Sequence, residues 1–207
     1  MGVLVAPCAT PFLATAAAIS PALAARMTGR SWRDVPAAPP LAALAHLTVR
    51  HRTLTGGVAD GELVVAAAAA AATVTLFGRL YAIGFPLRQL ALVDAYDGDD
   101  ARSMEADNSS ALNVRTIAGT SILSDHARGI AIDLNPVENP MVWRAPPRWV
   151  PAAGAAFLDR RVLRPGMIVR PGPVTAIFDE LGWEWGGDWP QVADLHHVVW
   201  RGRAAAR

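Results

Sequence analysis

The feature that most restricts how this chain can fold is a divided set of metal-ligating side chains. One part is the run Ser124-Asp125-His126-Ala127-Arg128-Gly129-Ile130-Ala131-Ile132-Asp133. The other is Trp185-Gly186-Gly187-Asp188-Trp189, followed by Asp194-Leu195-His196-His197. Together they offer two imidazoles and one carboxylate, with a spare carboxylate beside the second imidazole. These are the parts of a site in which zinc activates water. A fold that uses them must bring the two stretches together.

Local geometry restricts the fold further. Ile130, Ile132 and Leu134 alternate with Gly129, Ala131 and Asp133, so a strand here turns Asp133 away from the face that packs on the core. His126 lies seven residues before Asp133, and one straight strand would put them on opposite faces. His126 is therefore expected ahead of the strand, on a turn opened by Gly129, where the missing Cβ permits close approach. The three-residue spacing from Asp194 to His197 asks for a bend or a single helical turn. Either adjacent imidazole, His196 or His197, can be the ligand, and the spacing favours His197.

Composition removes other chemistries. Cys8 is the only cysteine, which rules out both an internal disulfide and a thiolate zinc site, so any zinc must be held by His and carboxylate. The 19 basic residues are all arginine, scattered along a chain of net charge +1, which gives no basic stripe for nucleic acid. No Gly-x-Ser-x-Gly elbow supports a serine hydrolase. Residues 1–26 form an Ala/Pro-rich leader, a possible export signal. It ends in Ala22-Leu23-Ala24 but has no basic residue before Arg26, and it is too interrupted by proline to span a bilayer.

A chain of 207 residues suits one core. Strands are predicted over 44–54, 62–65, 89–93, 130–134 and 198–200. Helices are predicted over 66–82, ended by Gly84 and Pro86, and over 174–181, stopped by Gly182. Residues 94–112 read as a long polar loop and 143–156 as irregular. Long strand–helix alternation is absent, so the expected class is α+β: a single compact domain, residues 27–207, with an antiparallel central sheet flanked by helices.

The motifs resemble those of the zinc D-alanyl-D-alanine carboxypeptidase and L-alanyl-D-glutamate endopeptidase family, which includes vancomycin-resistance D,D-peptidases and several phage endolysins. Ser124, His126, Gly129, Ala131 and Asp133 match its Ser-x-His and Gly-x-Ala-x-Asp pattern, and Asp194 with His197 matches its acidic residue three before a His. Asp133-Leu134-Asn135-Pro136 with Asn139-Pro140, the Trp-Gly-Gly-Asp-Trp segment, and the stretch from Ser103-Met104 through Asn113-Val114-Arg115 resemble the endopeptidase branch. The likeness runs from Met27 to Trp200. Family members often carry Phe-Asn-Cys-Arg where this chain has Leu112-Asn113-Val114-Arg115, and an aromatic residue where Val198 follows His197.

The resemblance implies a D,D-peptidase-like fold with zinc held by His126, Asp133 and His197. It implies Asp194 as general base and later acid, Arg115 as the group that polarises the scissile carbonyl, and Ser124 beside the ligands or the substrate. The implied substrate is a peptidoglycan stem peptide. No nucleic-acid partner and no stable membrane span are expected, and the state expected is a monomer, extracellular or in the cell wall. A catalytically idle, zinc-containing wall-binding module of the same fold is the alternative. His46 and His51 are expected to be ordinary residues and Trp183, Trp185 and Trp189 to pack the core. Asp99, Asp100 and Asp107 are expected to be solvated, and Arg128 to sit at the rim.

Overall fold

The computed structural model describes residues 10–36, 38–117 and 119–202. The first nine residues of the expected leader, Cys8 among them, lie outside these. In chain order the described elements are β1 (Ala14–Ala18), α1 (Pro21–Met27), β2 (Leu44–Thr53), β3 (Val58–Ala66), α2 (Ala70–Ala82), β4 (Pro86–Leu87), β5 (Gln89–Leu90), α3 (Asp100–Glu105), β6 (Asn108–Ser109), β7 (Ala131–Asp133), β8 (Met141–Arg144), β9 (Pro147–Val150), α4 (Pro173–Leu181), β10 (Trp183–Trp185), β11 (Val192–Asp194) and β12 (His197–Trp200).

The α+β class holds, but the single central sheet does not. The strands divide among four small sheets: β1-β2-β3 with β4 beside β2, β10-β12-β7, β11-β8-β9, and the pair β5-β6. The main ones are antiparallel. Short strands cannot extend one continuous ladder, so the fold is held by what packs between the sheets.

That packing follows from the alternation in β2 and β3. Leu47 and Val49, with Leu63 and Val65 on the partner strand, turn to one face and are fully buried. Helix α2 lays Leu76, Phe77 and Leu80 into the same core, and α4 adds Ile177 and Phe178. Ile132, Leu134 and Val198 join this core from β7, the residue after it, and β12. The sheet that carries two of the motif residues is thereby fixed to the N-terminal sheet. Each such side chain contributes roughly 1.5–3 kcal/mol relative to exposure. A second apolar cluster joins Leu23, Met27, Leu44, Val64, Leu112, Val114 and Ala127.

Two expectations need correction. Residues 94–112 are not a plain loop. A 3-10 turn (Val93–Tyr96), α3 and β6 lie within this region, and α3 starts because the Asp99 carboxylate accepts from the Arg102 N–H at 3.1 Å. Residues 143–156 are not irregular either. β8 and β9 form a hairpin that extends β11, followed by a 3-10 segment (Ala152–Phe157). Residues on either side of position 26 pack together. β1 pairs with β2 along its whole length, and Leu23 and Met27 of α1 are buried in the second cluster. No helix among the described residues is long and apolar enough to cross a membrane.

Candidate metal centre

The first motif folds as its spacing requires. Ser124 Oγ accepts from the His126 N–H at 3.3 Å, and the Ala127 N–H donates to the Ser124 carbonyl at 3.0 Å, which closes a 3-10 turn (His126–Arg128). Gly129 ends the turn at φ +69°. Its carbonyl accepts from the Ala66 N–H at 2.8 Å, at the end of β3, and a Cβ there would stand 2.5 Å from that nitrogen. Only glycine lets the turn lie so close and still run on into β7.

The second motif meets the first through strand pairing. β12 runs antiparallel to β7 with His197 directly opposite Asp133. Opposed residues of an antiparallel pair project to the same face, which places His197 Nδ1 3.0 Å from Asp133 Oδ1. Between β11 and β12 the chain bends at Leu195-His196 rather than forming a helical turn. Gly186 fills the hollow of that bend, since a Cβ on it would lie 3.0 Å from Asp194 Cβ and 3.3 Å from His197 Cβ. Trp185 holds the bend from behind by donating Nε1–H to the Leu195 carbonyl at 2.9 Å.

Three donor atoms therefore converge. His126 Nε2 is 3.1 Å from His197 Nδ1 and 3.1 Å from Asp133 Oδ2, and the three residues' donor atoms lie within 4.8 Å of one another. All three side chains are buried. His126 Nδ1 lies 2.7 Å from the Ala111 carbonyl. A carbonyl only accepts, so Nδ1 carries the proton and the Nε2 lone pair of the neutral ring faces the cluster. Two nitrogens and one carboxylate oxygen, with no thiolate, form a donor set that zinc accepts. The separations are close to the roughly 3.3 Å between donors on a tetrahedral ion with ~2.0 Å bonds, and three protein donors leave one position for water. The residues present fit the ion.

Electrostatics reinforce the arrangement. In the metal-free protein, where His126 can take a second proton on Nε2, burial alone would raise the Asp133 pKa, but the charges of His126 and His196 and hydrogen bonds from His126 and His197 hold it well below the usual carboxylate range. Burial pulls His126 down, and Asp133 more than reverses this, so its pKa is raised.

His196 turns the other way. Its Nδ1 lies 2.8 Å from the Asn139 carbonyl and its Nε2 2.9 Å from Asp194 Oδ1, with Asp133 Oδ1 at 3.9 Å. Burial disfavours its charge, yet Asp194 and Asp133 together push its pKa up to about 10. A charged ring with both nitrogens protonated has no lone pair to give. Geometry thus brings His197 rather than His196 to the cluster, and His196 becomes the link between Asp194 and the ligand carboxylate.

The remaining expected residues take distinct places. Asp194 is buried at the end of β11, beside the cluster. Arg115 is half-buried, paired with Asp100 at 2.7 Å, and near enough for its charge to act on His126. Its carbonyl accepts from the Ser124 N–H at 3.1 Å, so it is tied to the first motif. Ser124 spends its hydroxyl on the turn. Arg128 is exposed and pairs with Asp125, as expected of a rim residue. Trp183 and Trp185 are in the core, whereas Trp189 lies against the site with its ring 5.3 Å from that of His197. His46 pairs with Glu62, and His51 lies 3.0 Å from the Arg52 carbonyl; neither reaches the cluster.

The expected solvation holds for Asp99, which is exposed, and is corrected for Asp100 and Asp107. Asp99 caps α3, Asp100 holds Arg115, and Asp107 is buried, accepting from the Val137 N–H at 2.9 Å. Beside Asp107 lies the buried Glu138, which no sequence pattern marks. Burial, then the neighbouring Asp107, raises its pKa to about 8. Asn139 opens the Asn139-Pro140 pair. It ties the segment after β7 together, donating to the carbonyls of Leu134, Asn135 and Gly166 and accepting from the Ile168 N–H at 2.7 Å. Its own carbonyl then receives His196.

Residues 118–200 match the family model described as D-alanyl-D-alanine carboxypeptidase. No curated protein and no solved structure matches the chain.

Proposed function

With the zinc D-alanyl-D-alanine carboxypeptidase family supported by the match over residues 118–200, we propose that this chain is a zinc-dependent peptidase. Its substrates are peptide bonds in bacterial peptidoglycan stem peptides, of the L-Ala-D-Glu or D-Ala-D-Ala type. An extracellular or cell-wall location follows from that substrate. The observation that carries the proposal is the convergence of His126, Asp133 and His197 with a further carboxylate, Asp194, beside them.

His126, Asp133 and His197 would hold the ion. When bound, zinc acts as a Lewis acid on the carbonyl and lowers the pKa of water to about 7. Asp194 accepts the proton of the attacking water and returns it to the leaving amine. His196, anchored on the Asn139 carbonyl, fixes where that carboxylate stands. Arg115, steadied by Asp100, neutralises charge that develops on the carbonyl oxygen. Ser124 acts through the turn it closes, and Trp189 walls the cleft and limits water around His197.

The test is mass spectrometry of muropeptides after digestion by the zinc-loaded wild type and by Asp194→Ala. Wild type should release one defined set of fragments, and the variant should lose ~10²–10⁴-fold in rate with its zinc retained. Full activity in Asp194→Ala would remove the assigned base. Bound zinc with no turnover by wild type would favour the wall-binding module.

A further inference from the structure

The buried Asp194 carboxylate has a single side-chain partner among the described residues, His196, whose Nε2 lies 2.9 Å from Oδ1. His196 is held in turn at its other nitrogen, with Nδ1 2.8 Å from the Asn139 carbonyl. Where Asp194 stands therefore depends on where that carbonyl points. The other polar groups of Asn139 are already bonded. Its backbone N–H donates to the Asn135 carbonyl at 2.9 Å. Its side-chain nitrogen donates to the carbonyls of Leu134, Asn135 and Gly166. Its Oδ1 accepts from the Ile168 N–H at 2.7 Å and from Arg160 Nη2 at 3.0 Å.

Arg160 grips the same peptide from its other end. Nη1 donates to the Glu138 carbonyl at 2.6 Å and to the Phe157 carbonyl at 3.1 Å, and Nη2 donates to the Ile168 carbonyl at 2.7 Å. One guanidinium thus joins Glu138 and Asn139 to the end of the 3-10 segment and to the chain ahead of α4. Among the described residues no carboxylate pairs with it, and it is half-buried. Burial lowers its pKa to about 10, so it remains charged at neutral pH. Taking a cation out of water without a counter-ion is costly. Four neutral oxygens around one planar fork offset that cost, an arrangement that the point charge of a lysine cannot reproduce. What the guanidinium gives in return is direction, since it fixes both the Glu138 carbonyl and the Asn139 side chain on either side of the peptide bond between them.

We propose that Arg160 is a positioning residue for hydrolysis: it clamps the Glu138–Asn139 peptide so that the Asn139 carbonyl aims His196, and through His196 the Asp194 carboxylate, at the reacting centre. This rests on the hydrolase function proposed above, with Asp194 as its base. Each link in the path is a direct polar contact, from Arg160 to Asn139, from Asn139 to His196 and from His196 to Asp194. Arg160 touches neither the ligands nor the base, so its loss leaves the ligand set intact and misplaces only the group that moves the proton. A misplacement of about 1 Å costs up to ~10²-fold in rate, and the loss falls on kcat rather than on KM.

The test compares zinc-loaded wild type, Arg160→Met, Arg160→Lys, His196→Gln and the variant carrying both Arg160→Met and His196→Gln, with thermal unfolding and zinc content as checks on folding. One readout is the nitrogen-resolved NMR signal of the His196 ring N–H groups, identified by their loss in His196→Gln. The other is kcat and KM on a stem peptide. Arg160→Met should shift or broaden the Nδ1–H signal and lower kcat by roughly 10–100-fold, with KM nearly unchanged and zinc retained. Arg160→Lys should recover part of both. The variant carrying both changes should lose no more kcat than the larger single loss, because one path carries both. A wild-type signal and kcat in folded Arg160→Met, or single losses that multiply when combined, would overturn the proposal. Should Arg160→Met fail to fold, Arg160→Lys carries the same readings at smaller size, and a wild-type signal and kcat in it would overturn the proposal equally. A moved His196 signal in a protein whose wild type cuts no stem peptide would overturn the hydrolase function and leave the link from Arg160 to His196 standing. Cleavage by wild type with an unmoved signal in the Arg160 variants would do the reverse.

Discussion

Gly129→Ala tests how the sequence builds the metal centre, because the change adds one carbon and removes no ligand. The added Cβ would lie 2.5 Å from the Ala66 nitrogen and 3.1 Å from the Val65 carbonyl carbon, both of them backbone atoms at the end of a strand. Ordinary contact begins at about 3.4 Å, so the turn must retreat by close to 1 Å. Retreat stretches the 2.8 Å hydrogen bond from Ala66 to Gly129, worth roughly 0.5–1.5 kcal/mol. Holding alanine at φ +69° adds about 1–2 kcal/mol. The total is roughly 3 kcal/mol, which for a chain of this size lowers Tm by about 6–12 °C. Since His126 rides on the same turn, zinc affinity should fall with stability, by about tenfold or more. The assays are urea and thermal unfolding of the metal-free protein, and competitive titration of zinc against a chromophoric chelator. A Gly129→Ala protein with a Tm within about 2 °C of wild type and unchanged zinc affinity would refute the claim that close approach at Gly129 positions His126.

Glu138 gives a pH prediction. Its folded pKa of about 8 lies above the ordinary 4.5, so the folded protein holds a proton that the unfolded chain has released. Its contribution is fully present below pH 4.5 and is lost as pH rises through 8. Glu138→Gln should therefore flatten the fall in stability between pH 5 and pH 8.5 in urea unfolding, and an unchanged slope would count against the assignment. Asn139→Ala strands carbonyls and the Ile168 N–H in a buried segment, and should cost about 3–5 kcal/mol in the same assay. Ser124→Ala should lose about 1 kcal/mol of stability but keep kcat/KM within several-fold of wild type, because the hydroxyl serves the turn. A loss beyond a hundredfold would place Ser124 on the substrate instead.

What was legible in the sequence was what local periodicity encodes. Helix α4 and strands β2 and β12 declared themselves by apolar spacing and their glycine or proline stops; α2 did so over most of its length. The turn before β7 was forced by the odd spacing between His126 and Asp133. The ligand pair across β7 and β12 needed only the two motifs and one antiparallel register. What escaped depends on distant partners. The Asp97-Gly98-Asp99-Asp100 run reads as loop because its charges are polar, yet Asp99 is a helix cap. Trp143 and Pro147 sit in a stretch whose prolines suggested irregular chain, and they form strands only because β11 supplies an edge. Asp107 and Glu138 carry no pattern at all, since their burial arises from folding of the segment after β7. His196 could not be told from His197 by identity, and the bend decides between them by aiming one ring at Asp133 and the other at Asp194.

The account turns on a single divalent ion gripped by His126, Asp133 and His197. Its most direct test is the zinc content per chain, by elemental mass spectrometry after exhaustive dialysis, of wild type, His126→Ala, Asp133→Ala, His197→Ala and His196→Gln. One zinc per chain is expected in wild type and in His196→Gln, with little or none in the other three. Full zinc in His197→Ala, or its loss in a folded His196→Gln alone, would contradict it.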